Sequence, residues 1–401
     1  MSDTAAPGDT RVADEARALA RRRRRQRGRG FVLVLLLSLG IAIGGAAFLW
    51  AVGIDAINLR NDLQFFADSS TYHEVARGDV IGIDGFNDFI GIAGNFLGPL
   101  LILNVCGQNY YAVLLFNLLL FIASIAIISR AVDAPPFKLA LLLLMNPMTL
   151  SSLLSVNKEI LSMVVVAILL SALRRRSVAL WLAAGAIALL VRWQLTLVIL
   201  ALFVIDSGVN PFARRRGWTL VVVVVGLSVT YSALIEVFSG IRAAFELSVE
   251  DYDGSGFYEG LVGWQDRGLY WLVFPAKAIH LLFGLGLRFD RLIAPVNHYN
   301  DVWQLLHSTM TLVAFLLLWR RGRARLANDL VFVSVIYVAV FALSPIYAPR
   351  YFYAVFVLWA GALAAHNELP HLLSKTPTTG RPGRRRRRRS VTDQRRRDSE
   401  A

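Results

Sequence analysis

The stretch "FFADSSTYHEVARG", Phe65 to Gly78, gathers two acids, a phenol, an imidazole and a guanidinium in one short polar segment of an otherwise apolar chain. Helical spacing would set Asp68 and Tyr72 one turn apart, and His73 and Arg77 likewise. A carboxylate at a membrane surface can take the proton from an attacking hydroxyl, a role worth roughly 10²–10⁴-fold in rate. Asp68 is therefore the candidate general base, with Tyr72 and His73 as candidate binding groups beside it. A local reading stands next to this one: Thr71 and Glu74 in "TYHE" match a capping box that satisfies the first amides of a surface helix.

Other polar groups interrupt the apolar sequence further on. In "MNPMTLSSLLSVNKEI" an apolar run is broken at Asn146-Pro147 and ends on Asn157-Lys158-Glu159. Proline bends the run and the serines can bond the carbonyls it frees. Lys158 then presents an ammonium close to an acid, and can hold a phosphate as a point charge. Equally, it can snorkel to headgroups while Glu159 favours a helix N-terminus. Arg192, in "LLVRWQLT", sits where two short apolar segments meet, suited to phosphate or, with Trp193, to simple interfacial anchoring. "SPIYAPRYFY" carries Tyr347 and Arg350 in a tight turn; the guanidinium fork matches a phosphate, or the group belongs to an aromatic belt facing headgroups. The segment "EDYDGSGFYEGLVGWQDRGLYW" offers aromatic faces with flanking carboxylates, which suit sugar rings. Its "DYDGSG" lacks the remaining ligands of a calcium loop.

The scaffold for these side chains follows from composition. The chain has 401 residues, 56% hydrophobic and 17% charged, in repeated apolar runs near bilayer length, so a polytopic membrane protein is expected. The runs are continuous rather than alternating, which calls for helices and not barrel strands, and the fold class is all-α. The net charge of +14 sits mostly in the tails: residues 1–30 hold nine Arg against four acids, and residues 367–401 hold eleven Lys or Arg against four. Both tails are expected to be disordered, basic and apposed to anionic lipids. No aromatic residues interleave the arginines as a single-strand groove requires, so nucleic acid is not an expected partner. Cys106 is the only cysteine, which excludes an intrachain disulfide and a thiol metal site. There is no Gly-rich phosphate loop, zinc motif or nucleophile elbow, so an ATP-driven machine is excluded too.

Strong apolar runs cover 31–53, 110–129, 137–154, 160–173, 217–238, 303–319, 330–346 and 351–366, and the segment 177–206 reads as a hairpin broken at Arg192. That makes about ten spans. Segments 89–106 and 270–288 are interrupted by Gly, Pro, Asn or Lys and read as re-entrant or interfacial pieces. With ten crossings, every arginine cluster falls on the cytoplasmic side, as the positive-inside rule demands, and both termini lie there. The first run is too long for a cleavable signal core and is expected to be retained, giving a multi-pass protein of the cytoplasmic (inner) membrane. The expected organisation is a basic tail (1–30), a transmembrane catalytic domain (31–366) and a second basic tail (367–401). Asp68, Lys158, Arg192, Lys277 and Arg350 then share the outer face, where the rule disfavours cations and charge is a functional hint.

The order of these pieces resembles the GT-C integral-membrane glycosyltransferases, which use a sugar carried on a polyprenyl phosphate. "DSSTYHEVA" is similar to the acidic pattern of their first outer loop at Asp68, Tyr72 and Ala76, and "NPMTLSSLLSVNKE" to their Pro-containing span with a polar tip. "APRYFYAVFVLWA" looks like their late Arg-Tyr before a closing span. The resemblance covers roughly residues 31–366 through short motifs. It implies Asp68 as base toward a glycan or glycolipid acceptor, with Arg350 and Lys158 on the phosphate of a polyprenyl-phosphate-linked sugar. Many members carry an Asp-Glu pair where this chain has Asp68-Ser69; no cofactor is specified, and a divalent cation stays open. Polymerases of O-antigen and exopolysaccharide repeat units share the plan and are the alternative. A flippase or transporter for the lipid-linked sugar is the alternative of another class.

Overall fold

The computed structural model describes residues 8–53, 72, 75, 96–207, 215–236, 256–285, 299–345, 347–366 and 372–373, and all regular structure among them is helical. Asp68 and His73 lie outside the described residues.

Helix α1 (Gly8–Val52) contains a 27-residue stretch from Gln26 that is long and apolar enough to cross a membrane. Residues 8–30, expected to be a disordered tail, are helical and continuous with that span. Their sequence "ADEARALARRRRR" is dominated by Ala, Arg, Leu and Glu, which are strong helix formers. Helix α2 (Leu97–Val105) has nine residues, about 14 Å, against a hydrocarbon core of about 30 Å. It packs closely on the chain near Leu190: a Cβ on Gly98 would stand 2.7 Å from the Leu190 carbonyl oxygen.

Helix α3 (Tyr110–Ala131) is capped by Asn109, whose Oδ1 accepts from the amides of Tyr111 (3.0 Å) and Ala112 (3.2 Å). Helices α4 (Pro136–Leu144) and α5 (Pro147–Leu154) meet at an 89° bend. The cause is local. Pro147 opens α5, Asn146 caps it by accepting from the Met148 amide (3.0 Å), and Thr149 bonds the Leu143 carbonyl (2.6 Å) left over from α4. Asn117 of α3 closes the other end of α5, donating to the carbonyls of Ser152 (3.0 Å) and Ser155 (2.9 Å).

Then follow α6 (Lys158–Arg175), α7 (Val178–Val191), α8 (Trp193–Asp206) and α9 (Arg216–Ala233). Helices α10 (Gly256–Trp264) and α11 (Tyr270–Phe283) flank a π-turn, Gln265–Leu269. The last are α12 (Tyr299–Arg320), α13 (Asp329–Phe341), a 3-10 turn (Pro349–Phe352) and α14 (Tyr353–Ala364). Each of the ten expected spans falls on helix. By length and composition, however, four helices qualify as crossings (α1, α3, α9 and α12), or five if the bent pair counts as one. Among the others, α7 and α8 have 14 residues and α13 has 13, about 20 Å each, while α6, though 18 residues long, carries Lys158, Glu159, Arg174 and Arg175. Apolar side chains turn outward from the bundle, among them Trp50 (79% exposed), Leu182 (70%) and Trp319 (67%), as lipid rather than water would require.

Side-chain bonds sort the helix ends into two groups. At one end, cations hold helix C-terminal carbonyls: Arg174 bonds Ala131 (2.8 Å), Lys138 bonds Leu363 (3.0 Å), and Arg323 bonds Ala362 (2.8 Å). Such groups complement the negative end of each helix. Arg27 pairs with Asp133 there, and Arg216 with Asp329. Asp329 also accepts from the amides of Leu372 and Leu373, so these two residues dock on the bundle, with Leu372 buried, although a disordered tail was expected from 367 onward. The opposite end carries the start of α6, the α7–α8 tip and the 3-10 turn.

Candidate functional site

The start of α6 sets the first part of the site. Asn157 caps it, its Oδ1 accepting from the Glu159 amide (3.0 Å). The residue read as a binding group thus also shapes the helix end. Lys158 and Glu159 follow, and consecutive helical residues do not face each other. Their side chains diverge, contrary to the expected ammonium-carboxylate neighbourhood. Glu159 pairs with Arg192 at 2.9 Å, and both side chains are 4% exposed. Arg192 reaches inward because it lies in extended backbone between α7 and α8. Its guanidinium carbon is 4.1 Å from the ring centre of Tyr351, and that of Arg350 is 5.7 Å from the same ring. Tyr351 therefore lies beside two guanidinium groups, a cation–π arrangement that strengthens where water is excluded. The Tyr351 carbonyl in turn accepts from the Tyr337 hydroxyl (2.8 Å).

Lys158 points the other way. Its ammonium is 5.6 Å from the ring centre of Tyr72 and 5.7 Å from that of Phe96, and those two rings meet edge to face at 5.8 Å. Tyr72, expected to touch the acceptor, is fully buried in a small apolar cluster with Ile102, Leu103, Val113 and Val156. It serves as a wall beside the lysine.

The third part surrounds Tyr347, which meets Tyr258 edge to face at 5.2 Å and His280 at 5.5 Å. Much of the segment expected as a sugar-stacking loop is helix here. Tyr258 and Tyr270 are buried, while Phe257, Trp264 and Trp271 turn outward. Lys277, with no exposed surface, donates to the Ser344 carbonyl (3.1 Å) and to Gln265, and lies 5.2 Å from the Tyr258 ring centre. Gln265 itself donates to the Leu343 carbonyl (2.7 Å). The π-turn that aims Gln265 depends on Gly268, at φ 80, whose Cβ would stand 3.1 Å from the Ser232 hydroxyl. Lys277→Met keeps the aliphatic stem but takes a donor from Gln265 Oε1 and leaves the Ser344 carbonyl with the Tyr258 hydroxyl. Thermal unfolding in detergent is expected to show a loss of about 1–3 kcal/mol, with a normal melting temperature arguing against the clamp.

Of the residues singled out in the sequence, Arg192, paired with Glu159, and Arg350 converge on Tyr351, Lys158 joins Tyr72, and Tyr347 and Lys277 both meet Tyr258. Sequence reasoning passed over Tyr351 as a ring between guanidinium groups and missed the face formed by Gln304, His307, Ser308 and Thr311, all buried. The helical spacing of those four in "QLLHSTMT" was the available sign. Among the described residues no group of three or more His, Cys, Asp or Glu side chains could hold a metal ion. The acids of the first polar segment are outside that description.

Fold and site together define an all-helical membrane protein with a cationic, aromatic-lined cluster at one end of its bundle. Comparison of the chain with protein-family models, with curated proteins and with solved structures found no match.

Proposed function

We propose that the protein is a membrane glycosyltransferase that moves a sugar from a polyprenyl-phosphate carrier to a glycan or glycolipid acceptor on the extracytoplasmic face. The chain crosses ten times, the bent pair α4–α5 making one crossing, and both termini lie in the cytoplasm. The carrier tail lies between helices, with its phosphate near Lys158 and Arg350. These cations stabilise the charge that develops on the leaving phosphate, an electrostatic contribution that is largest where water is excluded. Arg192, already neutralised by Glu159, holds the Tyr351 ring in place beside Arg350 rather than gripping the phosphate itself. Asp68 takes the acceptor proton as the hydroxyl attacks the anomeric carbon, so a single displacement inverts its configuration.

The observation that carries this reading is that Lys158, beside Tyr72 and Phe96, and the Arg192 and Arg350 guanidinium groups, beside Tyr351, both lie at the end opposite the arginines that bind helix carbonyls. A transporter would instead concentrate charge near the bilayer midplane.

Two measurements test it. In a Cys106→Ser background, an impermeant maleimide applied to intact cells is expected to label Gln108→Cys and spare Arg175→Cys, both exposed positions at opposite ends. The reverse pattern would put the cluster in the cytosol and end the proposal. Purified protein is expected to turn over single-sugar polyprenyl-phosphate donors. Exclusive use of oligosaccharide diphosphates would select a repeat-unit polymerase instead.

A further inference from the structure

The polar face of α12 is a second feature that the phosphate cluster does not use. Gln304 (4% exposed), His307, Ser308 and Thr311 (all 0%) lie at i, i+3, i+4 and i+7 on a helix long and apolar enough to cross a membrane. The Nδ1 of His307 is 2.8 Å from Asn146 Nδ2, at the bend between α4 and α5. Asn146 Oδ1 is occupied by the Met148 amide, so its NH2 faces the imidazole. Nδ1 must then accept, and the ring is neutral with its proton on Nε2. The Pro349 backbone lies beside the ring, yet among the described residues Nε2 closes no hydrogen bond of normal geometry, and Gln304 Oε1 and Ser308 Oγ are likewise buried without a partner there. Nearby, the hydroxyls of Thr149 and Tyr353 bond each other at 2.9 Å, and the Tyr353 ring is 6.2 Å from that of His307.

Orphaned polar atoms in a membrane interior call for a guest that completes them. One N–H donor, one amide acceptor and one hydroxyl, none charged, form a set that a hydroxyl group satisfies from both sides. An anion would meet a single N–H and the repelling amide oxygen. We infer that this face is a subsite for a neutral hydroxyl, supplied by the sugar on the lipid carrier. Pro349 precedes Arg350 directly, so a sugar joined to a phosphate at Arg350 has this face within its neighbourhood. The assignment of the sugar rests on the transferase reading; the hydroxyl chemistry does not, since water has the same donor and acceptor pattern.

The test uses the full chain in nanodiscs, with Ser308→Ala and Gln304→Met, and compares binding of bare polyprenyl phosphate with binding of polyprenyl-phosphate hexose. Wild type is expected to bind the hexose carrier about tenfold more tightly, roughly one hydrogen bond's worth. Both variants should lose that advantage and bind the bare carrier as before. An advantage that survives both substitutions overturns the subsite. Equal binding of the two carriers by wild type overturns the sugar as its guest, leaving water. Failure to bind either carrier overturns the transferase reading together with the sugar assignment. A melting temperature that rises in Ser308→Ala without any carrier shows a dry site that the hydroxyl merely burdened, and overturns the hydroxyl subsite altogether.

Discussion

Glu159→Leu is expected to destabilise the protein by about 3–5 kcal/mol, because it leaves the Arg192 guanidinium buried without its carboxylate. The pair is closed at 2.9 Å with 4% exposure on each side, and arginine cannot shed its proton to escape the interior. Its reciprocal, Arg192→Met, should cost less, since an orphaned Glu159 can protonate. That asymmetry separates a buried ion pair from mere loss of packing. The double replacement Glu159→Leu/Arg192→Met should recover most of the loss, leaving the stacking of Arg192 on Tyr351 as the missing part. Thermal unfolding of the four proteins in one detergent closes the cycle. Additive losses would show that the two side chains do not depend on each other. The same double variant also bears on the phosphate: if Arg192 only positions Tyr351, donor affinity should fall far less than in Arg350→Ala.

Local sequence fixed some of this arrangement and was silent on the rest, for physical reasons. Apolar runs predict helices because lipid forbids unpaired backbone groups, and the helices are there. The bend at Asn146-Pro147 was legible because a cap and an N1 proline are neighbours in sequence, and the break at Arg192 because a charge cannot continue an apolar run. The Glu159–Arg192 pair was not legible. It joins residues 33 positions apart, and only the packing of α6 against the α7–α8 tip brings them together. The burial of Tyr72 was not legible for a related reason: a phenol in a polar segment gives no sign of a ring packed against Phe96. At the other end, the docking of Leu372 and Leu373 on Asp329 hid inside a tail whose composition is almost wholly polar and basic. Two leucines are too few to raise a compositional average, yet enough to fill one site.

Asp68→Asn is expected to lower sugar transfer by about 10²–10⁴-fold, the range for loss of a positioned general base. The amide has the carboxylate's shape and cannot take a proton, so donor binding and membrane insertion should stay as in wild type. Lys158→Ala and Arg350→Ala should behave differently from Asp68→Asn. On the proposed function they remove charge that would hold the carrier in the ground state and more strongly as the phosphate departs, so KM should rise while kcat falls. Steady-state kinetics on proteoliposomes separates the two patterns. Full activity in Asp68→Asn would remove this residue from the chemistry and leave the phosphate-binding end to be paired with another base. A fall in kcat alone for Asp68→Asn, beside a combined change for the two cations, is the result that assigns proton removal and phosphate stabilisation to different side chains.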